Sequence, residues 1–110
     1  MVQKYIDHPL LIENYKFDLR IYVLIGSIDP LRIYIYNDGL ARFATETYSV
    51  AQKGNFKSAY QHLTNYAINK LNPKFKASQS GADLDGGFKR SLKAVLKSLS
   101  ESGIDTDRLW

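Results

Sequence analysis

Residues Lys16 to Ile25 constrain this chain more than any others. In Lys16-Phe17-Asp18-Leu19-Arg20-Ile21-Tyr22-Val23-Leu24-Ile25 the side chains alternate, and alternation is the mark of a β-strand with one buried face. Side chains in a strand switch faces at every residue, so Lys16, Asp18 and Arg20 line one face about 7 Å apart. Phe17, Leu19, Ile21, Val23 and Ile25 fill the other. A cation, an anion and a second cation in a row suit a polyanion that also offers hydroxyls, as a nucleotide does. Charge held on a rigid strand is how preorganised binding sites are built. A salt-bridge ladder on an exposed strand accounts for the same residues.

The neighbouring segments supply a sheet. Val2 to Ile6 reads as a short strand, broken by His8-Pro9. Leu10-Leu11-Ile12 reads as a buried run that turns at Glu13-Asn14. The Lys16 strand ends near Gly26-Ser27, and Ser27-Ile28-Asp29-Pro30 is a turn, since proline fixes its own φ and drives the residue before it out of the helical region. Leu31 to Tyr36 alternates again. Asn37-Asp38-Gly39 is a hairpin signal, after which Leu40 to Ala44 reads as a third strand. Strands joined by tight turns predict an antiparallel meander.

Beyond it the pattern changes. Thr45 to Asn55 is polar and loop-like, and Tyr60 to Tyr66 reads as a short helix or an irregular segment. Asn72 to Gly87, rich in Ser, Gly, Asp and Lys, reads as a mobile loop. Phe88, Leu92, Val95, Leu96 and Leu99 share one helical stripe, with Gly103 as its C-cap. Asp105-Thr106-Asp107 resembles the N-cap of another helix. The expected class is α+β: an antiparallel β-meander followed by a loop and an amphipathic helix.

Composition bounds the function. At 110 residues, 45% hydrophobic and 13% aromatic, the chain has the means for one modest core. It holds no cysteine, which removes disulfides and thiolate metal sites. No signal-peptide pattern or long apolar run is present, which points to a soluble intracellular protein. The net charge of +4 is uneven: residues 1–52 hold five Lys/Arg against six Asp/Glu, whereas residues 53–97 hold nine against two. The basic segment would steer an acidic partner, whether a nucleic acid or an acidic polypeptide. His8 and His62 have no partner at metal-ligand spacing. No nucleophile elbow, Walker or dinucleotide glycine pattern occurs.

Six blocks together closely resemble the tubulin–tyrosine ligase-like family. They are Val2 to Ile6, Pro9 to Ile12, Lys16 to Leu24, Asp29 to Tyr34, Gly39 to Thr45, and His62-Leu63-Thr64-Asn65-Tyr66-Ala67-Ile68-Asn69-Lys70. They occur in the family's order across roughly residues 1–70; the basic helix and Gly103 to Trp110 are similar less specifically. The resemblance implies an ATP-grasp fold, of which residues 1–110 would be the central segment of the catalytic domain. It further implies an ATP-dependent ligase that joins an amino acid to tubulin through an acyl phosphate. The blocks look most like the polyglutamylating members, with glutamate as co-substrate. Glycylating or tyrosine-adding activity, a non-catalytic tubulin-binding remnant and, on charge alone, a basic nucleic-acid-binding module stay open.

The resemblance also assigns residues. Gln3, Lys4, Tyr5 and Ile6 would meet the adenine. Lys16 and Asp18 would contact the nucleotide, with Asp18 suited to ribose hydroxyls. Thr64 and Asn65 would lie near phosphate and magnesium. Arg42 would receive the carboxylate of the incoming amino acid or the acyl phosphate. Arg20, next along the Lys16–Asp18 face, could meet phosphate oxygens, and the two arginines would carry the catalytic neutralisation of charge. Tyr66 and Lys89 would help hold that substrate. The family's magnesium ligands, an Asp and then Glu-x-Asn, would lie beyond the C-terminus, and its phosphate-binding lysines before the N-terminus, so the 110 residues alone should not turn over. The implied location is cytoplasmic and cytoskeletal, including the cilium or flagellar basal body, with no membrane and no nucleic acid as partner.

Overall fold

Two long strands carry the fold. The computed structural model describes residues 2–50, 54, 57–75 and 87–109. Strand β2 (Tyr15–Ile28) pairs antiparallel with β3 (Leu31–Phe43), and the turn between them is Asp29-Pro30, with a cis peptide bond. A short β1 (Leu11–Ile12) joins the outer edge of β2, and β4 (Lys89–Ser91) joins β3, giving the order β1-β2-β3-β4 with every pair antiparallel. The helices are α1 (Ala59–His62), α2 (Tyr66–Asn69) and α3 (Leu92–Glu101). The α+β class expected from the sequence is the class observed.

Local chemistry accounts for the joints. Glu13 and Asn14 take φ of 54° and 65°, the left-handed values that both central residues of a type I′ hairpin turn require. Ser91 caps α3, its Oγ accepting from the Ala94 N–H at 3.1 Å. At the other end Gly103 takes φ +83°. The Ile104 N–H donates to the Leu99 carbonyl at 3.0 Å and the Gly103 N–H to that of Ser100 at 2.9 Å. This double closure is a Schellman cap, and Ile104 packs back on the core.

The core lies on one face of the sheet. Leu92, Val95 and Leu99 of α3 are buried against it, and Val95 and Leu99 cluster with Ile12, Ala41 and Phe43. Phe17 sits opposite Phe43 in register and stacks on it, ring centroids 5.5 Å apart. An aromatic file runs along this layer from Tyr15 to Phe88 to Phe75 to Tyr66.

Several expectations are corrected. Val2 to Ile6 forms no strand among the described residues; its apolar residues are exposed, Ile6 by 70%. Of the apolar run after Pro9 only Ile12 is buried, whereas Leu10 is half-exposed. Asn37-Asp38-Gly39 does not reverse the chain. Pairing jumps from Ile21↔Gly39 to Val23↔Ile35, so Tyr36, Asn37 and Asp38 bulge opposite Tyr22 and β3 continues. Gly39 is required there for a different reason, because a Cβ would stand 2.5 Å from the Arg20 carbonyl oxygen. The helical stripe also starts later than its periodicity indicates. Phe88 precedes the helix and Lys89–Ser91 forms a strand, since pairing with the edge of β3 outweighs a single residue of apolar spacing. Asp105 accepts from the Arg108 N–H at 3.3 Å, as an N-cap would, but only a turn follows among the described residues. Residues 76–86, most of the expected mobile loop, lie outside the described residues.

Past the end of α3 the β2–β3 ribbon runs on uncovered. Val23, Leu24, Ile25, Ile28, Leu31, Ile33, Tyr34, Ile35 and Tyr36 are each more than half exposed. A two-stranded ribbon is marginal by itself, so the covered end near Phe17 and Phe43 anchors the pair. Gly39→Ala should therefore lower stability by about 1–3 kcal/mol. Gly54→Ala, whose Cβ would meet nothing within 4 Å among the described residues, should change it by less than about 0.5 kcal/mol. Urea unfolding midpoints of the two variants check this.

Candidate functional site

The face of the sheet opposite the core carries the charge. Register places Asp18 opposite Arg42 and Arg42 opposite Lys89, so three strands bring one anion and two cations into a row. Lys16 and Arg20 flank Asp18 on the same face of β2. Arg42 grips Asp18 with two donors: Nε donates to Oδ1 at 3.0 Å and Nη2 donates to Oδ2. This contact holds the Arg42 guanidinium above its ordinary pKa. A carboxylate offers about four acceptor positions and a guanidinium five N–H groups, so each partner keeps capacity for a ligand. Arg20 is exposed and has no ion-pair partner among the described residues.

Lys16 opens onto a cleft. Its Nζ donates to the Tyr5 hydroxyl and to the His62 carbonyl, both at 3.0 Å, and stands 4.7 Å above the centre of the Tyr5 ring. Two of the three ammonium donors are thereby fixed and one remains. Gln3, Lys4, Tyr5, Ile6, His8, Pro9, Leu10 and Lys16 line a shallow, open-sided cleft of about 600 Å³, within the size range of small-molecule sites. Every residue assigned to the adenine thus lines the same space as Lys16.

The segment that forms this wall makes no sheet ladder and is held by side chains instead. The Tyr48 hydroxyl donates to the Asp7 carbonyl at 2.7 Å, and the His62 ring stands edge-on to both Tyr48 and Tyr5. Burial first, and then the contact with Tyr5, push the Tyr48 phenol up to about 12.

Thr64 and Asn65 lie between α1 and α2, tied to β2 through the Lys16–His62 bond. Asn65 is exposed and caps no backbone N–H with its side chain. Beneath them is a group that sequence reasoning missed. Asn69 is 2% exposed, and its Oδ1 accepts from the Thr45 N–H at 3.0 Å and the Thr45 hydroxyl at 2.8 Å. Its Nδ2 donates to the carbonyls of Leu63 at 2.8 Å and Asn65 at 3.1 Å. Asn72 adds a bond to the Thr45 hydroxyl at 2.9 Å. These amides staple the Thr64–Asn65 loop to the end of β3. No periodicity in the sequence marks this group, since here amides are buried while Leu71 is exposed by 70%.

The substrate residues are only partly assembled. Lys89 is in register with Arg42, as described. Tyr66 is 59% exposed and stands edge-on to Phe75, which stacks on Phe88 just ahead of β4. No group of three acidic or histidine side chains able to hold a metal occurs among the described residues. No helix there is long and apolar enough to cross a membrane.

The sequence profile of the tubulin-tyrosine ligase family matches residues 1–110. This chain belongs to the tubulin-tyrosine ligase family. It is 50% identical over 110 residues to a probable beta-tubulin polyglutamylase of Tetrahymena thermophila, covering all of this chain and 9% of that protein. It is 44% identical over 110 residues to tubulin polyglutamylase TTLL7 of Xenopus tropicalis, of which it covers 12%. It is 46% identical over 110 residues to tubulin monoglutamylase TTLL4 of Mus musculus, of which it covers 9%. The chain thus spans about a tenth of the length of these relatives.

The latch in this family member has a pH signature. Because the fold favours the neutral phenol, the Tyr48 contribution is complete below about pH 10, the ordinary tyrosine value, and fades only as pH rises through about 12. Ultraviolet titration of the 110-residue chain should show one tyrosine ionising near 12 that Tyr48→Phe abolishes. Loss of a step near pH 10 instead would contradict the packing.

Proposed function

We propose that this chain is the central, ATP-holding segment of a ligase that adds glutamate to glutamate side chains of tubulin tails. One observation carries this reading: Gln3 to Ile6 and Lys16 share an open cleft of small-molecule size that adjoins the Asp18–Arg42 pair. The glutamylase names of the relatives support the choice of glutamate and tubulin, and favour it over glycine or tyrosine addition. The small coverage of those relatives and the uncovered β2–β3 ribbon support a larger domain around it.

In this reading ATP supplies the phosphoryl group that activates a tubulin carboxylate, and the incoming amine then displaces phosphate. The residues here act by position and charge. Gln3 to Ile6 and Lys16 hold the nucleotide, with Thr64 and Asn65 on its phosphate side. Asp18 retains acceptor positions for ribose hydroxyls. Asp18 also orients Arg42, whose remaining N–H groups receive the carboxylate of the incoming glutamate, and Arg20 neutralises developing charge. Lys89 and Tyr66 bound the amino-acid side. The exposed Lys93 and Lys97 of α3 suit an acidic, flexible tail. Magnesium does not fit the described residues, where Arg42 engages both Asp18 oxygens and no group of three acidic or histidine side chains forms, so no step here runs through it. The cellular setting would be cytoplasmic microtubules, including those of cilia and basal bodies.

Radiolabelled glutamate incorporation into tubulin, using the protein expressed from its complete reading frame, tests this. Arg42→Ala should lower the rate by roughly 10²-fold or more, and the 110-residue chain alone should incorporate none. Wild-type rates for Arg42→Ala, or turnover by the isolated chain, would overturn the proposal.

A further inference from the structure

His62 lies outside the cleft lining, yet it contacts Tyr5 and Lys16 of that lining and Tyr48 behind it. The side chain is 8% exposed. Its ring stands edge-on to Tyr5, centroids 6.2 Å apart, and to Tyr48, centroids 5.4 Å apart. Its Nδ1 lies 3.4 Å from the Tyr5 hydroxyl oxygen, and its carbonyl receives Lys16 at 3.0 Å.

An ammonium only donates, so the Tyr5 oxygen accepts from Lys16. The Tyr5 proton then has two partners in reach, His62 Nδ1 and the Tyr48 hydroxyl. Placed on the His62 side, it makes Nδ1 the accepting nitrogen, and the neutral ring then carries its own proton on Nε2. Nε2 is buried and has no hydrogen-bond partner among the described residues. Buried polar atoms are seldom left unpaired, and an exception calls for a reason. A ring held in place by two tyrosines, with Nδ1 turned to a cleft residue at the expense of Nε2, is one.

We infer that His62 is a positioning residue for the nucleotide cleft: its Nδ1 orients the Tyr5 hydroxyl, which in turn fixes the Lys16 ammonium with one donor left for the ligand. The inference rests on the reading of that cleft as the ATP site. His62 touches no ligand in this account. It preforms the Lys16–Tyr5 wall, and losing it makes ATP bear the cost of ordering that wall.

The test is a set of KM measurements for ATP, glutamate and tubulin on the protein expressed from its complete reading frame. His62→Phe keeps a ring between the two tyrosines and removes Nδ1. His62→Asn places an acceptor near the Nδ1 position, and His62→Gln one near the Nε2 position. His62→Phe should raise the ATP KM roughly fivefold, the scale of one lost hydrogen bond. The glutamate and tubulin KM values should stay within twofold, and His62→Asn should restore the ATP value better than His62→Gln. An ATP KM within twofold of wild type for His62→Phe would overturn the inference. So would equal or better rescue by Gln, or a parallel rise in all three KM values with a fall in Tm. If His62→Phe fails to fold, the comparison of Asn with Gln decides alone. Lys16→Met, measured alongside, separates the two levels of argument. An unchanged ATP KM in Lys16→Met defeats the cleft reading itself, whereas a raised one with a normal His62→Phe defeats only the role of His62.

Discussion

The pairing of β2 with β3 is the constraint on which the rest depends. Phe17 opposite Phe43 and Asp18 opposite Arg42 are consecutive rungs of the same ladder, so one register sets both the core and the charged face. Because side chains alternate, a slip of one residue would turn Phe17 and Phe43 outward and drive Asp18 and Arg42 into the core. The desolvation penalty for burying that charged pair is large, and it guards the register together with the core packing. The bulge at Tyr36 to Asp38 and the close approach of Gly39 to the Arg20 carbonyl absorb the mismatch between two strands of unequal length without disturbing the rungs near the site.

The site is built on this ladder from two sources of order. Strands supply the row of Lys16, Asp18, Arg42 and Lys89, where backbone pairing fixes the spacing. The cleft wall has no such support, since residues 2–10 form no ladder except through side chains. Tyr48 holds the Asp7 carbonyl, and Lys16 gathers Tyr5 and His62 around itself. The floor is thus held by backbone pairing and the wall by a few polar side-chain contacts. Asn69 applies the same economy at the far end, tying the Thr64–Asn65 loop to Thr45 with all of its amide donors and acceptors in use.

What the sequence disclosed follows from the range of the forces involved. The alternation of Lys16 to Ile25, the turn at Asp29-Pro30, the left-handed Glu13-Asn14 and the Gly103 cap are local, and each was legible. Asn37-Asp38-Gly39 was misread because the same residues serve a reversal or a bulge, and only the position of Arg20 across the ladder decides between them. Lys89–Ser91 was taken into the helix because its strand pairing depends on an edge of β3 some fifty residues away. The burial of Asn69, and of His62 between two tyrosines, depends on contacts between distant segments. No periodicity announces them. The assignments of Gln3 to Ile6 came from resemblance, whereas Lys16 stood out already in the strand alternation; all five residues line one open cleft.

The measurement that bears most directly on the central claim is photolabelling with 8-azido-ATP, followed by peptide mapping, on the protein expressed from its complete reading frame. An adenine seated in the cleft predicts covalent label within residues 2–16, competed by ATP. ATP-competed label confined to peptides outside that stretch would contradict the account.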